Sequence, residues 1–119
     1  MKKILIVDDS AFQRKILGEM ITSLGYEVSR APSGEAMLDL IEKEQFDCIC
    51  LDLLMPGMSG IEIMEHVKDH ENIPPIVIIS ADIQLTKKQQ CLDLGAAGFI
   101  NKAVNKQEVE ELLGSLFKD

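Results

Sequence analysis

Polar side chains suited to phosphoryl-transfer chemistry follow four short apolar runs in this sequence. In chain order they are Asp8 and Asp9 after Lys3–Val7, Asp52 after Phe46–Leu51, Ser80 after Ile76–Ile79, and Asn101 with Lys102 after Ala97–Ile100. If the runs are neighbouring parallel strands, their carboxyl ends meet at one edge of a sheet. Two or three carboxylates, a hydroxyl and an ammonium would then converge. Such a group can hold a cation, supply an acidic nucleophile and neutralise an anionic ligand.

The apolar patterning predicts a strand followed by a helix five times over. The strands are the four runs above and a short second strand over Tyr26–Arg30. Helices are predicted from after Asp9 to Gly25, from a Ser33 cap to about Glu44, after a Ser59–Glu62 capping box, over about Leu85–Leu94, and after an Asn105–Glu108 box. This alternation predicts an α/β fold, with a parallel sheet covered by helices on both faces.

Length and composition fit one soluble domain spanning residues 1–119. Of the 119 residues 46% are hydrophobic and 27% are charged. No apolar run approaches the roughly 18 residues of a membrane helix. The start of the chain runs into Asp8-Asp9 without a cleavage site, so we expect a cytoplasmic protein with no membrane association. The formal net charge of −8 argues against direct nucleic-acid binding and favours Mg²⁺ and cationic partner surfaces.

The cysteines and histidines give weaker signals. The chain has three cysteines, Cys48, Cys50 and Cys91, and this odd number argues against a disulfide framework. We interpret them as small buried hydrophobic residues. His66 and His70 stand four apart on the third predicted helix, a spacing that can bind metal. No third ligand is evident, so the sequence favours two solvated histidines.

Each residue at the predicted edge has an ordinary interpretation as well as a chemical one. Asp8, Asp9 and Asp52 are typical turn formers, Lys102 is typical of a solvated surface, and Ser80 of a strand-end hydrogen bond. The chemical interpretation assigns the paired acids to a divalent cation, which would relieve their repulsion. It makes Asp52 a carboxylate nucleophile. Lys102 would pair with Asp52 at rest and with the phosphoryl oxygens after transfer. The joint placement at strand ends favours the chemical interpretation.

The same residues carry a family resemblance that covers essentially the whole chain. The matching motifs are Val7-Asp8-Asp9-Ser10, Leu51-Asp52, Met55-Pro56-Gly57-Met58-Ser59-Gly60, Ser80-Ala81, Gly95-Ala96 and Lys102. Together they resemble the receiver domain of two-component response regulators, of the stand-alone CheY-like kind. The resemblance implies a flavodoxin-like, doubly wound three-layer fold with five helices and strand order 2-1-3-4-5.

The resemblance also implies roles for individual residues. Asp52 would accept a phosphoryl group from the phosphohistidine of a sensor histidine kinase or phosphotransfer protein. Asp8 and Asp9 would bind Mg²⁺, with Asp9 and Asp52 as direct ligands and the backbone carbonyl of Leu54 as a further one. Lys102 and Ser80 would contact the phosphoryl group.

A switch is part of the same resemblance. The Ser80 hydroxyl would move toward the phosphoryl group, and the ring of Phe99 would turn into the space that it leaves. The turn would reshape the face of the fourth helix, fifth strand and fifth helix for a downstream protein, as in motility control. Because phenylalanine lacks the hydroxyl that would draw a tyrosine outward, we expect the inward state to be easier to populate. The expected state is a monomer, with dimerisation on phosphorylation left open.

Three positions depart from, or vary within, the family pattern. Ala103 stands where a proline usually follows the lysine, which leaves the Lys102–Ala103 peptide open between trans and cis. Leu54, two residues after Asp52, cannot hydrogen-bond an attacking water, so we expect slow self-dephosphorylation. Asp82 adds negative charge near the predicted edge.

Three other functions compete with a phosphorylation-controlled module that has no separate substrate. A degenerate receiver would bind partners without phosphate, against which Asp9, Asp52 and Lys102 argue. A flavin-binding protein would need a loop of donors after the first strand, where Asp8-Asp9 would repel the flavin phosphate. A Mg²⁺-dependent phosphohydrolase would need an acid–base aspartate at position 54 and a cap insertion.

Overall fold

Ten elements alternate between strand and helix along the chain. The computed structural model describes residues 1–70, 72–81 and 85–118. The elements are β1 (Lys3–Val7), α1 (Ala11–Ser23), β2 (Glu27–Ala31), α2 (Gly34–Lys43), β3 (Cys48–Leu51), α3 (Gly60–Val67), β4 (Ile76–Ser80), α4 (Leu85–Asp93), β5 (Gly98–Asn101) and α5 (Lys106–Leu116). The predicted α/β alternation is confirmed.

The five strands form one parallel sheet in the order β2-β1-β3-β4-β5. The order reverses at β1, so β1 and β3 are neighbours and their carboxyl ends frame the crevice where ligands bind in such sheets. The flavodoxin-like order 2-1-3-4-5 implied by the resemblance is confirmed.

The alternation of side chains along each strand divides the core into two clusters. On one face, residues such as Leu5, Ile49 and Ile78 pack against α2, α3 and Cys91 of α4. On the other, residues such as Ile6 and Cys50 pack against α1 and α5. Both faces of the sheet are therefore covered, which explains why the central strands are apolar almost throughout.

Side-chain caps start four of the helices. The hydroxyls of Ser10, Ser33 and Ser59 accept hydrogen bonds from backbone N–H groups in the first turns of α1, α2 and α3, and the Asn105 side chain does the same for α5. The Ser59–Glu62 capping box is complete. At the end of α1, Gly25 adopts a φ of 97°, which a glycine reaches without strain.

Several predicted boundaries differ by one or two residues. β3 begins at Cys48 rather than Phe46, because Cys48 is the first residue that pairs in register with β1. β2 and β5 each lie one residue later than predicted and include Ala31 and Asn101. The three cysteines are buried and free, as predicted. Among the described residues, no helix has the length and apolar character needed to cross a bilayer.

Candidate functional site

Backbone hydrogen bonds between strand ends fix the positions of the predicted site residues. The Asp8 N–H donates to the Ala31 carbonyl at 3.2 Å, and the Asp52 N–H donates to the Val7 carbonyl at 3.0 Å. The two carboxylates therefore belong to residues at the carboxyl ends of adjacent strands, β1 and β3. Asp8 and Asp52 are each 6% exposed, whereas Asp9 is exposed.

The three carboxylates converge as the sequence predicts. One carboxylate oxygen from each of Asp8, Asp9 and Asp52 lies within 4.8 Å of the other two. In octahedral coordination with bonds of about 2.1 Å, two oxygens on one Mg²⁺ lie about 3.0 Å apart when adjacent and about 4.2 Å apart when opposite. Three oxygens that share the ion include at least two adjacent pairs, so the carboxylates need to approach by at most about 1.8 Å, which rotation of their side chains can supply. Hard oxygen donors are the ligands that Mg²⁺ prefers, so the donor set fits this metal.

Lys102 bridges the two buried acids. Its Nζ donates to Asp8 Oδ2 at 2.9 Å and to Asp52 Oδ2 at 3.3 Å. Its backbone N–H donates to the Ser80 carbonyl at 3.0 Å, which anchors the residue after β5 to the end of β4. The sequence left the Lys102–Ala103 peptide open between trans and cis, and in the structure it is cis. A single ammonium therefore neutralises part of the charge of two carboxylates.

The electrostatics of the site follow from burial and from this pairing. Burial, and after it the negative charge of Asp8, raise the pKa of the Asp52 carboxyl above its usual range. The Leu54 N–H and the Lys102 ammonium oppose that rise. Burial alone would lower the pKa of Lys102, but its hydrogen bond to Asp8 and the charges of both acids raise it. The Lys102 ammonium thus stays charged. Ionisation of the buried Asp52 carboxyl costs free energy, and a bound cation would lower that cost.

The two predicted switch residues lie on β4 and β5. Ser80 is fully buried at the end of β4 and pairs in register with Asn101. Asp52 lies one residue beyond the register partner of Ile78, and Ser80 lies two residues beyond Ile78 on the neighbouring strand. Phe99 is half-buried and packs on the α2–α3–α4 side of the sheet, with Lys88 Nζ 5.8 Å from its ring centroid.

The positions that depart from the family pattern lie at the mouth of the site or outside the described residues. The Leu54 side chain is 52% exposed, and its N–H donates to Asp52 Oδ1 at 3.2 Å. The backbone of Leu54 therefore contacts the carboxylate, while its apolar side chain is half exposed to solvent. The roles of the Leu54 carbonyl as a metal ligand and of Ser80 as a phosphoryl contact stay predictions. Asp82 is outside the described residues.

One contact was not anticipated from the sequence. Arg14, in the first turns of α1, donates from Nη1 to the backbone carbonyl of Asp8 at 2.7 Å. On the other side of the same residue, the Ser10 N–H donates to Asp8 Oδ1 at 2.9 Å. Together they fix the turn that carries both adjacent acids. The sequence signal that could have indicated this contact is a basic residue, Arg14, one helical turn after the Ser10 N-cap.

An apolar cavity of about 360 Å³ opens beside the acids. The α1 residues Gln13, Ile16, Leu17 and Met20 form one wall, and Ala103 and Val104 form part of another, with Asp8, Asp52 and Lys102 also lining it. Phe12 on α1 is 68% exposed and Ile16 is 40% exposed. The acidic site is thus flanked by apolar surface on the α1 side.

Comparison with known proteins decides the family. The family model described as "Response regulator receiver domain" matches residues 4–114. The chain belongs to this family. It is therefore a receiver domain of two-component signalling, as the sequence motifs indicate.

Several named proteins are similar to this chain in sequence or in structure. Sporulation initiation phosphotransferase F of Bacillus subtilis is 34% identical over 110 residues, which cover 92% of this chain and 89% of that protein. The chemotaxis protein CheY4 of Vibrio cholerae superposes with a TM-score of 0.91 at 31% identity, covering 98% of this chain and 99% of that one. The CheX–CheY–BeF3–Mg²⁺ complex of Borrelia burgdorferi gives a TM-score of 0.92 at 30% identity, covering 99% and 90%.

Other relatives are longer than this receiver. The chain spans about half the length of the first curated relatives that it matches, which are named as probable transcriptional regulators.

Proposed function

We propose that this receiver domain accepts a phosphoryl group on Asp52 in a magnesium-dependent reaction and thereby controls its binding to a protein partner. The observation that carries the proposal is the convergence of three carboxylates within 4.8 Å, two of them bridged by the Lys102 ammonium. A structural ion pair would not need a third acid at the same point. We take the single receiver unit to extend over residues 1–119.

The chemistry assigned to the chain is a phosphoryl transfer between a nitrogen and an oxygen. An Asp52 carboxylate oxygen attacks phosphorus, the new P–O bond forms, and the P–N bond to the donor imidazole breaks. The bond electrons stay with the departing imidazole nitrogen. The Leu54 N–H, 3.2 Å from Asp52 Oδ1, orients the carboxylate. Lys102 is close enough to neutralise developing charge on the phosphoryl oxygens.

Asp8, Asp9 and Asp52 would hold the Mg²⁺, with the Leu54 carbonyl as a further ligand. Bound there, the ion would supply positive charge between the acidic nucleophile and the anionic phosphoryl group. Ser80 is assigned a hydroxyl contact to the phosphoryl group. The protein has no separate substrate in this proposal; the reactions are its own phosphorylation and the hydrolysis of its acyl phosphate.

The phosphodonor is a sensor histidine kinase or a phosphotransfer protein. Asp52 is only 6% exposed, so the donor must cover the edge of the sheet to reach it. The apolar surface of Phe12, Ile16 and Leu54 beside that edge offers area for a helical donor to bury. The name of the B. subtilis relative, a phosphotransferase, supports a donor or acceptor protein of this kind.

The output surface that we propose is the face formed by α4, β5 and α5, which Phe99 reshapes. Control of motility is the proposed process, supported by the likeness to the V. cholerae chemotaxis protein, and loss of directed swimming in a deletion strain tests it. We propose the cytoplasm as the place where the receiver acts, in keeping with the expectation from the sequence.

Incubation with acetyl phosphate and Mg²⁺ followed by intact mass measurement tests the proposal. The wild-type protein should gain one phosphoryl mass, and Asp52→Asn should gain none. Chelation of Mg²⁺ should abolish the gain. If the wild type stays unmodified, or if it binds its partner equally well before and after phosphorylation, the protein is instead a phosphate-independent interaction module. Asp39→Asn is a matched control, because it makes the same change at an exposed aspartate on α2 that has no assigned role.

A further inference from the structure

Two imidazoles stand together at the C-terminal end of α3, which ends at Val67, earlier than the sequence predicted. His66 lies in the last turn of α3, and His70 lies in the turn that follows, where its N–H donates to the Val67 carbonyl at 3.0 Å. Both side chains are exposed. Their ring centroids are 6.0 Å apart and their planes are tilted by 50°. About 9 Å of helix separates His66 from Gly60, the α3 residue next to the Asp52 carbonyl.

This separation is close to what a shared metal ion requires. An imidazole nitrogen binds Zn²⁺ or a similar ion at about 2.0–2.1 Å, which puts the ring centroid about 3.2 Å from the metal. Two rings at a tetrahedral angle then have centroids about 5.2 Å apart, and two neighbouring ligands of a tetragonal ion such as Cu²⁺ have centroids about 4.5 Å apart. The observed value of 6.0 Å exceeds the first distance by about 0.8 Å and the second by about 1.5 Å. Rotation of two exposed side chains can supply that distance.

The electrostatic surroundings favour a cation. The chain carries a formal net charge of −8. His70 also lines a surface cleft of about 1,070 Å³. The residues that line this cleft carry four carboxylates against two side-chain ammoniums and one amino terminus, namely Glu27, Glu42, Glu44 and Asp47 against Lys3, Lys43 and Met1. An excess of negative charge raises the local concentration of divalent cations.

We propose that His66 and His70 form a two-histidine site for a divalent transition-metal ion that prefers nitrogen ligands. Within the described residues, the set of three donors that could hold an ion together is the acidic cluster, so water completes the coordination at the histidine pair. Imidazole suits Cu²⁺, Ni²⁺ and Zn²⁺, and Cu²⁺ binds most tightly in this series. Mg²⁺ prefers oxygen and would remain at the aspartates.

Titration of the whole protein with Cu²⁺ in saturating Mg²⁺ tests this site without reference to phosphorylation. Calorimetry gives the affinity, and pulsed electron paramagnetic resonance counts the imidazole nitrogens on the copper. The buried cysteines are shielded from the added metal. We expect one strong site with two imidazoles. His66→Gln and His70→Gln should each leave one imidazole and bind about tenfold more weakly or worse, since the second ligand acts at an effective concentration of about millimolar or above.

The double variant His66→Gln/His70→Gln should show no imidazole coordination. Asp52→Asn should bind copper with the same affinity and the same two imidazoles as the wild type. The copper test therefore does not depend on whether Asp52 accepts a phosphoryl group. A wild-type spectrum with a single imidazole, or equal affinity in the wild type and the double variant, would overturn the inference. Circular dichroism of each variant verifies that the fold is intact.

Discussion

Gly60, the first residue of α3, lies close against the backbone of Asp52 and Leu53, and a methyl group there would clash with both. A Cβ at position 60 would lie 2.7 Å from the Asp52 carbonyl oxygen and 2.7 Å from Leu53 Cα. Ordinary contact begins near 3.4 Å, so one backbone would have to move by about 0.7 Å. The Gly60 N–H is also bonded to the Leu53 carbonyl at 3.0 Å, which limits that movement.

Gly60→Ala should therefore destabilise the protein by about 1–3 kcal/mol relative to a glycine-to-alanine change without such a contact. Gly114→Ala is the matched control, because its Cβ would meet nothing within 4 Å and the residue is exposed within α5. That variant should be stabilised by about 0.5–1 kcal/mol through helix propensity alone. Since both changes gain propensity, the difference between them reports mainly the contact.

Urea denaturation measures the difference in stability, and acetyl phosphate labelling measures its effect on the site. We expect Gly60→Ala to lose labelling rate as well as stability, because the displaced backbone carries the acceptor. Gly114→Ala should label at the wild-type rate. Equal stability of the two variants, within about 0.5 kcal/mol, together with equal labelling would refute the argument from close approach.

Four further predictions concern the site itself. Without Mg²⁺, Asp52→Asn should raise the free energy of unfolding at neutral pH, because burial and then the charge of Asp8 raise the pKa of the Asp52 carboxyl. The gain exists above the native-state pKa and vanishes as the pH falls toward the ordinary value of about 3.9, so denaturation between about pH 4 and pH 7.5 measures it. Leu54→Asn should hydrolyse its acyl phosphate several-fold faster, as followed by intact mass, because an amide can orient water. Arg14→Gln should weaken Mg²⁺ binding measured by NMR titration, since it frees the Asp8 carbonyl. In the phosphorylated protein, Phe99 should be inward more often than the ring of Phe99→Tyr, as read from ring-current shifts.

Each of these four predictions has its own result that would contradict it. An Asp52→Asn protein that is less stable than wild type at neutral pH would mean that the carboxylate stabilises the native state. An unchanged hydrolysis rate in Leu54→Asn would remove the explanation from water orientation. Unaltered Mg²⁺ affinity in Arg14→Gln would make its contact merely structural. A solvated, outward Phe99 in the phosphorylated form would end the switch hypothesis.

The sequence predicted the architecture well because its local signals agree with one another. Apolar runs mark four of the five strands, the caps at Ser33, Ser59 and Asn105 mark the starts of three helices, and Gly25 marks the end of α1. The boundaries were less certain because pairing with a neighbouring strand decides them. Phe46 is as apolar as Cys48 and Ile49, yet the ladder with β1 begins at Cys48.

Placement at strand ends also predicted which acids would meet, but the partners of individual atoms depend on tertiary geometry. Lys102 was expected to pair with Asp52, whereas its shorter contact is with Asp8. The Arg14 contact depends on the rotation of α1 relative to the first turn, which periodicity does not specify to that accuracy. The sequence shows which acids follow which strands. It does not show how the Lys102 ammonium shares its hydrogen bonds between Asp8 and Asp52.

The central sheet also separates two tasks of the molecule. Phe99 packs in the cluster with α2, α3 and α4, while α1 packs with α5 on the opposite side. A phosphodonor resting on α1 would leave Phe99 and α4 uncovered, and of the proposed output face it would border only α5. A partner that binds through α4 could therefore engage the newly phosphorylated receiver before the donor has left.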